Sequence, residues 1–107
     1  MNHQQAAARA EVLKTLAHPV RILIVDELSR GERCACEILP RAGVDVSVLS
    51  RHIAQLRRVG IIRERRDGVR RILTLECPCI LQALTCTVGV LKSRLRTQAR
   101  ALGASTP

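Results

Sequence analysis

The sequence predicts a small, mainly helical α+β domain. Three observations point to it. Two short amphipathic segments are joined by a glycine-containing turn, a basic β-hairpin follows them, and longer helical segments flank the whole at both ends. At 107 residues the chain is one domain by size.

The elements follow in order. From about Gln4 to Leu16 the alanines favour helix, and Val12, Leu13 and Leu16 share one face. Pro19 suits a first helical position, Ile22, Leu23, Val25 and Leu28 supply a core face, and Gly31 ends that second helix. A short third helix covers about Cys36 to Arg41 and stops at Gly43. A fourth starts at the cap-forming stretch Asp45 to Ser47, buries Val48, Leu49, Ile53 and Leu56, and stops at Gly60. The run Ile61 to Arg66, then Asp67-Gly68, then Val69 to Leu75 reads as a hairpin, because Asp-Gly favours the tight turn. Pro78 opens a last helix to about Arg100, with Ile80, Leu81, Leu84, Val88, Leu91 and Leu95 in one stripe. Leu102 to Pro107 read as a frayed tail.

The expected architecture is therefore a single winged helix-turn-helix domain over 1–107. Within it, 36–60 form the helix-turn-helix and 61–75 the wing, while 4–31 and 78–100 are dimerisation and support helices. The terminal stripe is longer than so small a core needs, so it is read as a homodimer surface. There is no Phe, Trp or Tyr and one Met, so Leu, Ile, Val and Ala do the packing, and a dimer would offset the missing aromatic burial.

Lys plus Arg number 18 against 9 Asp plus Glu, a net charge of +9. Lysine occurs only at Lys14 and Lys92. Arginine presents a planar fork of donors that matches phosphate oxygens, so the expected partner is a nucleic acid. No apolar run reaches transmembrane length and Met1 to Ala10 is no secretory signal, so the expected location is cytoplasmic, without a membrane partner. Five cysteines in a reducing compartment favour thiolate chemistry over disulfides, and Cys34/Cys36 and Cys77/Cys79 are each too close in sequence to bridge comfortably.

These residues resemble the ArsR/SmtB family of metal-responsive repressors, arsenic- and antimony-sensing type. The matching pieces are Leu16-Ala17-His18-Pro19-Val20-Arg21-Ile22-Leu23, Cys34-Ala35-Cys36-Glu37-Ile38-Leu39, Ser47-Val48-Leu49-Ser50-Arg51-His52-Ile53 with Leu56, and Gly60-Ile61-Ile62. The resemblance covers about Leu13 to Leu75. It implies a homodimer that binds double-stranded operator DNA of dyad symmetry, represses transcription and is released by a bound metal or metalloid.

Ser47, Ser50, Arg51 and His52 lie in the candidate recognition helix, with Gln55 and Arg58 further along, where polar side chains meet base edges and phosphates in the major groove. The wing arginines Arg63, Arg65, Arg66, Arg70 and Arg71 suit phosphates or the minor groove. The bland alternatives are a packed His52 and solvated arginines. Val46 and Val48 stand where the family often has polar side chains, which suits contact with thymine methyls, and the wing lacks the family's aromatic pair.

The effector site is expected at Cys34 and Cys36, since two thiolates suit soft ions. The resemblance implies trivalent arsenic or antimony on three sulfurs, with cadmium, lead and bismuth as alternatives. The third sulfur is sought among Cys77, Cys79 and Cys86, from the same or a partner subunit. Cys79 and Cys86 lie roughly 10 Å apart along one helix, so they cannot easily share an ion. In a regular helix Cys34 and Cys36 point roughly 200° apart, so chelation needs them at an irregular first turn. The last helix has no His or Asp, which disfavours a zinc or nickel site there. The alternatives are a thiol-redox or reactive-sulfur sensor on the same fold, an enzyme, or a nucleoid or RNA-binding module. No Cys-x-x-Cys, phosphate loop or catalytic triad supports an enzyme, and no aromatic residue supports stacking on single-stranded RNA.

Overall fold

The computed structural model describes residues 1–103. The elements are α1 (His3–Leu16), α2 (Pro19–Leu28), β1 (Arg33–Cys34), α3 (Ala35–Ala42), α4 (Val46–Arg58), β2 (Ile62–Asp67), β3 (Arg70–Leu75) and α5 (Ile80–Ala101). This is a winged helix-turn-helix: α3 and α4 form the helix-turn-helix, and β2 and β3 the wing. Of the tail expected from Leu102, residues 104–107 lie outside the described part.

Local chemistry sets the boundaries. Asn2 and Gln5 form a reciprocal capping box at the start of α1. His18 caps α2, its Nδ1 accepting the Val20 N–H at 3.1 Å, with Pro19 at the first helical position. Asp45 caps α4, accepting the Val48 N–H at 3.0 Å. Gly43 ends α3 at φ 68°, a left-handed turn that glycine adopts without Cβ strain.

A strand that sequence reading missed completes a three-stranded antiparallel sheet in the order β1-β3-β2. β1 has two residues, too few to show alternation, and pairs Arg33 with Leu73 and Cys34 with Ile72. The wing pairs Ile62 with Leu75 through to Asp67 with Arg70.

The core is aliphatic: Leu16, Val20, Ile24, Val25, Leu28, Ile38, Leu49, Ile53, Leu56, Ile61, Ile62 and Leu73. Two expected faces are corrected. α2 buries Val20, Ile24, Val25 and Leu28, while Ile22 and Leu23 are exposed; α1 buries Leu16 and leaves Leu13 exposed. The helix turns by roughly 100° per residue, so α2 can present one face only, and Ile24 rather than Ile22 lies in the core. Val48 is half-exposed rather than core.

α5 packs through Ile80, Leu81 and Leu84 near its start. Beyond that turn it leaves the body of the domain, and Val88, Val90, Leu91 and Leu95 are exposed. No residue of α5 is fully buried.

Because Leu56 has no exposed surface and no aromatic residue is present to refill its space, Leu56→Ala is expected to lower unfolding free energy by about 2–5 kcal/mol. Urea denaturation followed by circular dichroism measures it; an unchanged midpoint would contradict this packing.

Candidate nucleic-acid interface and cysteine pair

The recognition helix α4 is held at both ends and in the middle. At its start the Ser47 hydroxyl donates to Asp45 Oδ1 at 2.7 Å. The hydrogen bond from the Val48 N–H, and then that from Ser47, hold the Asp45 carboxyl below its usual range, so the cap stays ionised at the positive end of the helix.

In the middle of α4, His52 Nδ1 accepts from Arg21 Nε at 3.1 Å. The His52 ring lies 4.3 Å, centroid to centroid, from that of His18. Arg21 also donates to the Thr15 carbonyl at 2.8 Å. One arginine of α2 thus ties α1 to the recognition helix, a link that sequence reading missed because its partners lie 31 residues apart. Partial burial, followed by the positive fields of His18, Arg21 and Arg51, pushes the His52 pKa below 6.5. Arg21, Val48, Arg51, His52 and Gln55 line one shallow concavity. Arg51 and Gln55 therefore sit beside His52 on the outer face of α4.

The wing is coupled to α4 by Arg71. Its guanidinium donates to Ser50 Oγ at 2.9 Å and to Glu64 Oε1 at 2.8 Å. Arg57, in the last turn of α4, reaches the other Glu64 oxygen at 3.5 Å. Ser50 is thus a fastening point between helix and wing. The other expected phosphate contacts sit in loose ion pairs: Arg65 with Glu32 at 2.8 Å, Arg70 with Glu37 at 3.4 Å, Arg63 with Glu76 at 3.1 Å, and Arg58 with Glu11 at 3.6 Å. Arg58 also donates to Gln55. Among the described residues Arg51 and Arg66 make no ion pair. Exposed pairs are worth about 0.2–1 kcal/mol, so exchanging a carboxylate for a phosphate costs little.

The cysteines divide into two groups. Cys34 is 3% exposed and is the cap of α3, its Sγ accepting the Cys36 N–H at 3.3 Å. Its own N–H donates to Glu37 Oε1 at 3.1 Å. Cys36, the second residue of α3, is exposed. Their sulfurs are in disulfide contact across a Cα–Cα distance of 5.2 Å, within the usual bridging range. The contact forms although a single residue separates the two cysteines. Cys34 has extended backbone (φ −68°, ψ 142°) rather than helical, so its side chain folds back over the first turn instead of pointing away from Cys36.

Cys77, Cys79 and Cys86 are exposed at the wing-to-α5 junction and on α5. The expected assembly of one of them with Cys34 and Cys36 inside one chain does not form. Among the described residues no three metal-ligating side chains come together. The reason is geometric: Cys34 is fixed on β1 at one edge of the sheet, while Cys77 leaves from the end of β3 beyond Leu75.

Because His52 is held neutral, the unfolded chain, whose histidine titrates near 6.5, binds that proton more tightly than the folded one. The stability this contributes is complete above that pH and is lost as pH falls below it. Thermal melts should therefore show a lower Tm at pH 5.5 than at 7.5, and a smaller difference in His52→Asn. Equal pH dependence in the two proteins would refute the assignment. The Asp45 contribution lies in a separate window, lost only as pH falls past the ordinary carboxylate value of 3.8.

The model of the family described as bacterial regulatory protein, arsR family, matches residues 18–64. An uncharacterized HTH-type transcriptional regulator of Mycobacterium tuberculosis, Rv0081, is 39% identical over 84 residues, covering 78% of this chain and 74% of the relative. Its crystal structure superimposes with a TM-score of 0.77 over 92% of this chain and 99% of that one. The transcriptional repressor BigR from Xylella fastidiosa superimposes with a TM-score of 0.72 at 30% identity, over 81% and 89% of the two chains. A homodimeric winged helix-turn-helix DNA-binding domain, Mb0332 from Mycobacterium bovis, gives 0.71 at 25% identity, over 91% and 93%. With this fold, these capped helices and this basic wing, the chain belongs to the arsR family of bacterial transcriptional regulators, which are DNA-binding proteins and not enzymes.

Proposed function

We propose that the chain is a homodimeric repressor that binds a dyad-symmetric operator and is released when a thiophilic effector, trivalent arsenic or antimony, is taken up at Cys34 and Cys36. The single observation that carries this reading is the convergence of two sulfurs at the cap of α3, one turn-connection away from the recognition helix. The positive end of α3 and the Cys36 N–H face the Cys34 sulfur there. A change at that cap acts on α3, and α3 connects to α4 through Gly43 to Asp45.

DNA binding is supported by the net charge of +9 and by the placement of Arg51 and Gln55 on α4 with Arg65, Arg66 and Arg70 on the wing. Ser47, Ser50 and His52 hold hydrogen bonds inside the protein that position α4, so their part in DNA recognition includes orienting it. Dimer formation is supported by the exposed Val88, Leu91 and Leu95 of α5, with Leu13, Ile22 and Leu23 of α1 and α2. It agrees with the homodimeric assembly described for Mb0332. A three-sulfur ion site needs a donor beyond Cys34 and Cys36, and a second copy would supply it from Cys77, Cys79 or Cys86. Cadmium, lead and bismuth suit the same thiolates. No described helix is long and apolar enough to cross a membrane.

A second reading, control by thiol oxidation, is favoured by the disulfide contact itself. Both readings are tested by fluorescence anisotropy on DNA from upstream of the protein's own gene. Binding should fall steeply with salt, since each neutralised phosphate releases counterions. Arsenite or antimonite should release the reduced protein, and Cys34→Ser or Cys36→Ser should abolish release while preserving DNA binding. If no ion releases DNA but oxidation does, reversibly by dithiothreitol, the second reading replaces the first.

A further inference from the structure

Beside the cysteine pair lies a cleft of about 390 Å³ between α3, the start of α4 and the tip of the wing. Its lining is almost wholly apolar: Ala35 and Leu39 from α3, Val46 and Leu49 from α4, and Val69 from the hairpin turn. Cys34, Cys36, Ser50, Arg70 and Arg71 complete the lining. Val46 and Val69 are exposed, at 63% and 94%, on a surface otherwise rich in arginine. A bare ion does not need an apolar cleft of this size, which is large enough for a small organic molecule.

The two sulfurs differ in access. Cys36 is exposed towards solvent and the cleft, whereas Cys34 is buried beneath it and in contact with it. That is the arrangement of an attacking thiol and a resolving thiol. We infer that the cleft admits an apolar organic hydroperoxide, which oxidises the pair to a disulfide. This rests on the thiol-oxidation reading above and names its oxidant.

The chemistry balances. The Cys36 thiolate attacks the terminal oxygen of R–O–O–H, the O–O bond breaks, and Cys36 becomes a sulfenic acid. The departing alkoxide takes the proton released by the Cys36 thiol and leaves as the alcohol ROH. The Cys34 thiolate then attacks the Cys36 sulfur, and the hydroxide expelled takes the Cys34 proton and leaves as water. Two thiols are oxidised to one disulfide and one peroxide is reduced to alcohol and water. The R group lies against Leu39, Leu49 and Val69, and the Arg71 guanidinium faces the polar end. An occupant there presses on the 2.9 Å Arg71–Ser50 hydrogen bond that fastens the wing to the recognition helix, which couples the chemistry to DNA release.

The test uses the full chain, reduced, with Cys77→Ser, Cys79→Ser and Cys86→Ser so that only Cys34 and Cys36 react. Thiol loss is timed with cumene hydroperoxide and with hydrogen peroxide, and glutathione serves as the reference thiol without a cleft. The ratio of the two rates should exceed the glutathione ratio by about tenfold or more, the effect of burying a few carbon atoms. Mass spectrometry should find a Cys34–Cys36 disulfide. Val69→Lys, at an accessible turn of the cleft lining, should bring the ratio back towards that of glutathione. A ratio equal to that of glutathione overturns the cleft assignment, and if both peroxides still release DNA the oxidation reading stands without it. No oxidation by either peroxide overturns both, leaving the ion reading intact.

Discussion

Cys34 pairs with Ile72 as the last residue of a two-residue strand while its side chain caps α3. The fit is tight because the residue is buried and its N–H is taken by Glu37. The wing, the first helix of the helix-turn-helix and the cysteine pair therefore meet at one backbone position. Any chemistry at the sulfurs is felt by the strand that carries the wing and by the helix that leads into α4. Glu37 extends the junction, since the carboxylate that accepts the Cys34 N–H also accepts from Arg70 of the wing.

A second junction lies across the cleft, where Arg71, Glu64, Ser50 and Arg57 join the wing to the recognition helix. Glu64 is largely shielded, its side chain 10% exposed, so its pairing with Arg71 is stronger than the loose pairs further out. The outer arginines are different. Glu32, Glu37 and Glu76 hold Arg65, Arg70 and Arg63 near the wing at little energetic cost, and a phosphate can replace each carboxylate. The molecule thus separates arginines that shape the interface from arginines that are free to exchange partners.

The lack of aromatic residues has a structural consequence. An aliphatic core of this size closes around α2, α4 and the sheet, and it uses only the first turn of α5. The remaining apolar side chains of α5 pack against no core among the described residues. Leu13, Ile22 and Leu23 are likewise exposed apolar side chains on α1 and α2.

The helices, the hairpin and the basic wing were legible in the sequence, because capping residues, glycine stops and the Asp-Gly turn act on neighbours a few residues away. The two thiols of Cys34 and Cys36 were equally visible as a candidate site. Their relative orientation was not, since it depends on Cys34 being held in extended conformation by a partner strand 38 positions later. The same holds for Arg21 with His52 and Arg71 with Ser50, where each contact joins segments distant in the chain. Periodicity marked α2 as amphipathic but could not say that Ile24 rather than Ile22 faces inward, because that depends on where α3 and α4 stand. Composition and local spacing determined which elements form and that the surface is basic. Only the tertiary structure decided which sulfurs meet, which arginines are bound to the protein, and that an apolar cleft opens beside the cysteines, because those follow from packing between elements rather than from the residues within any one of them.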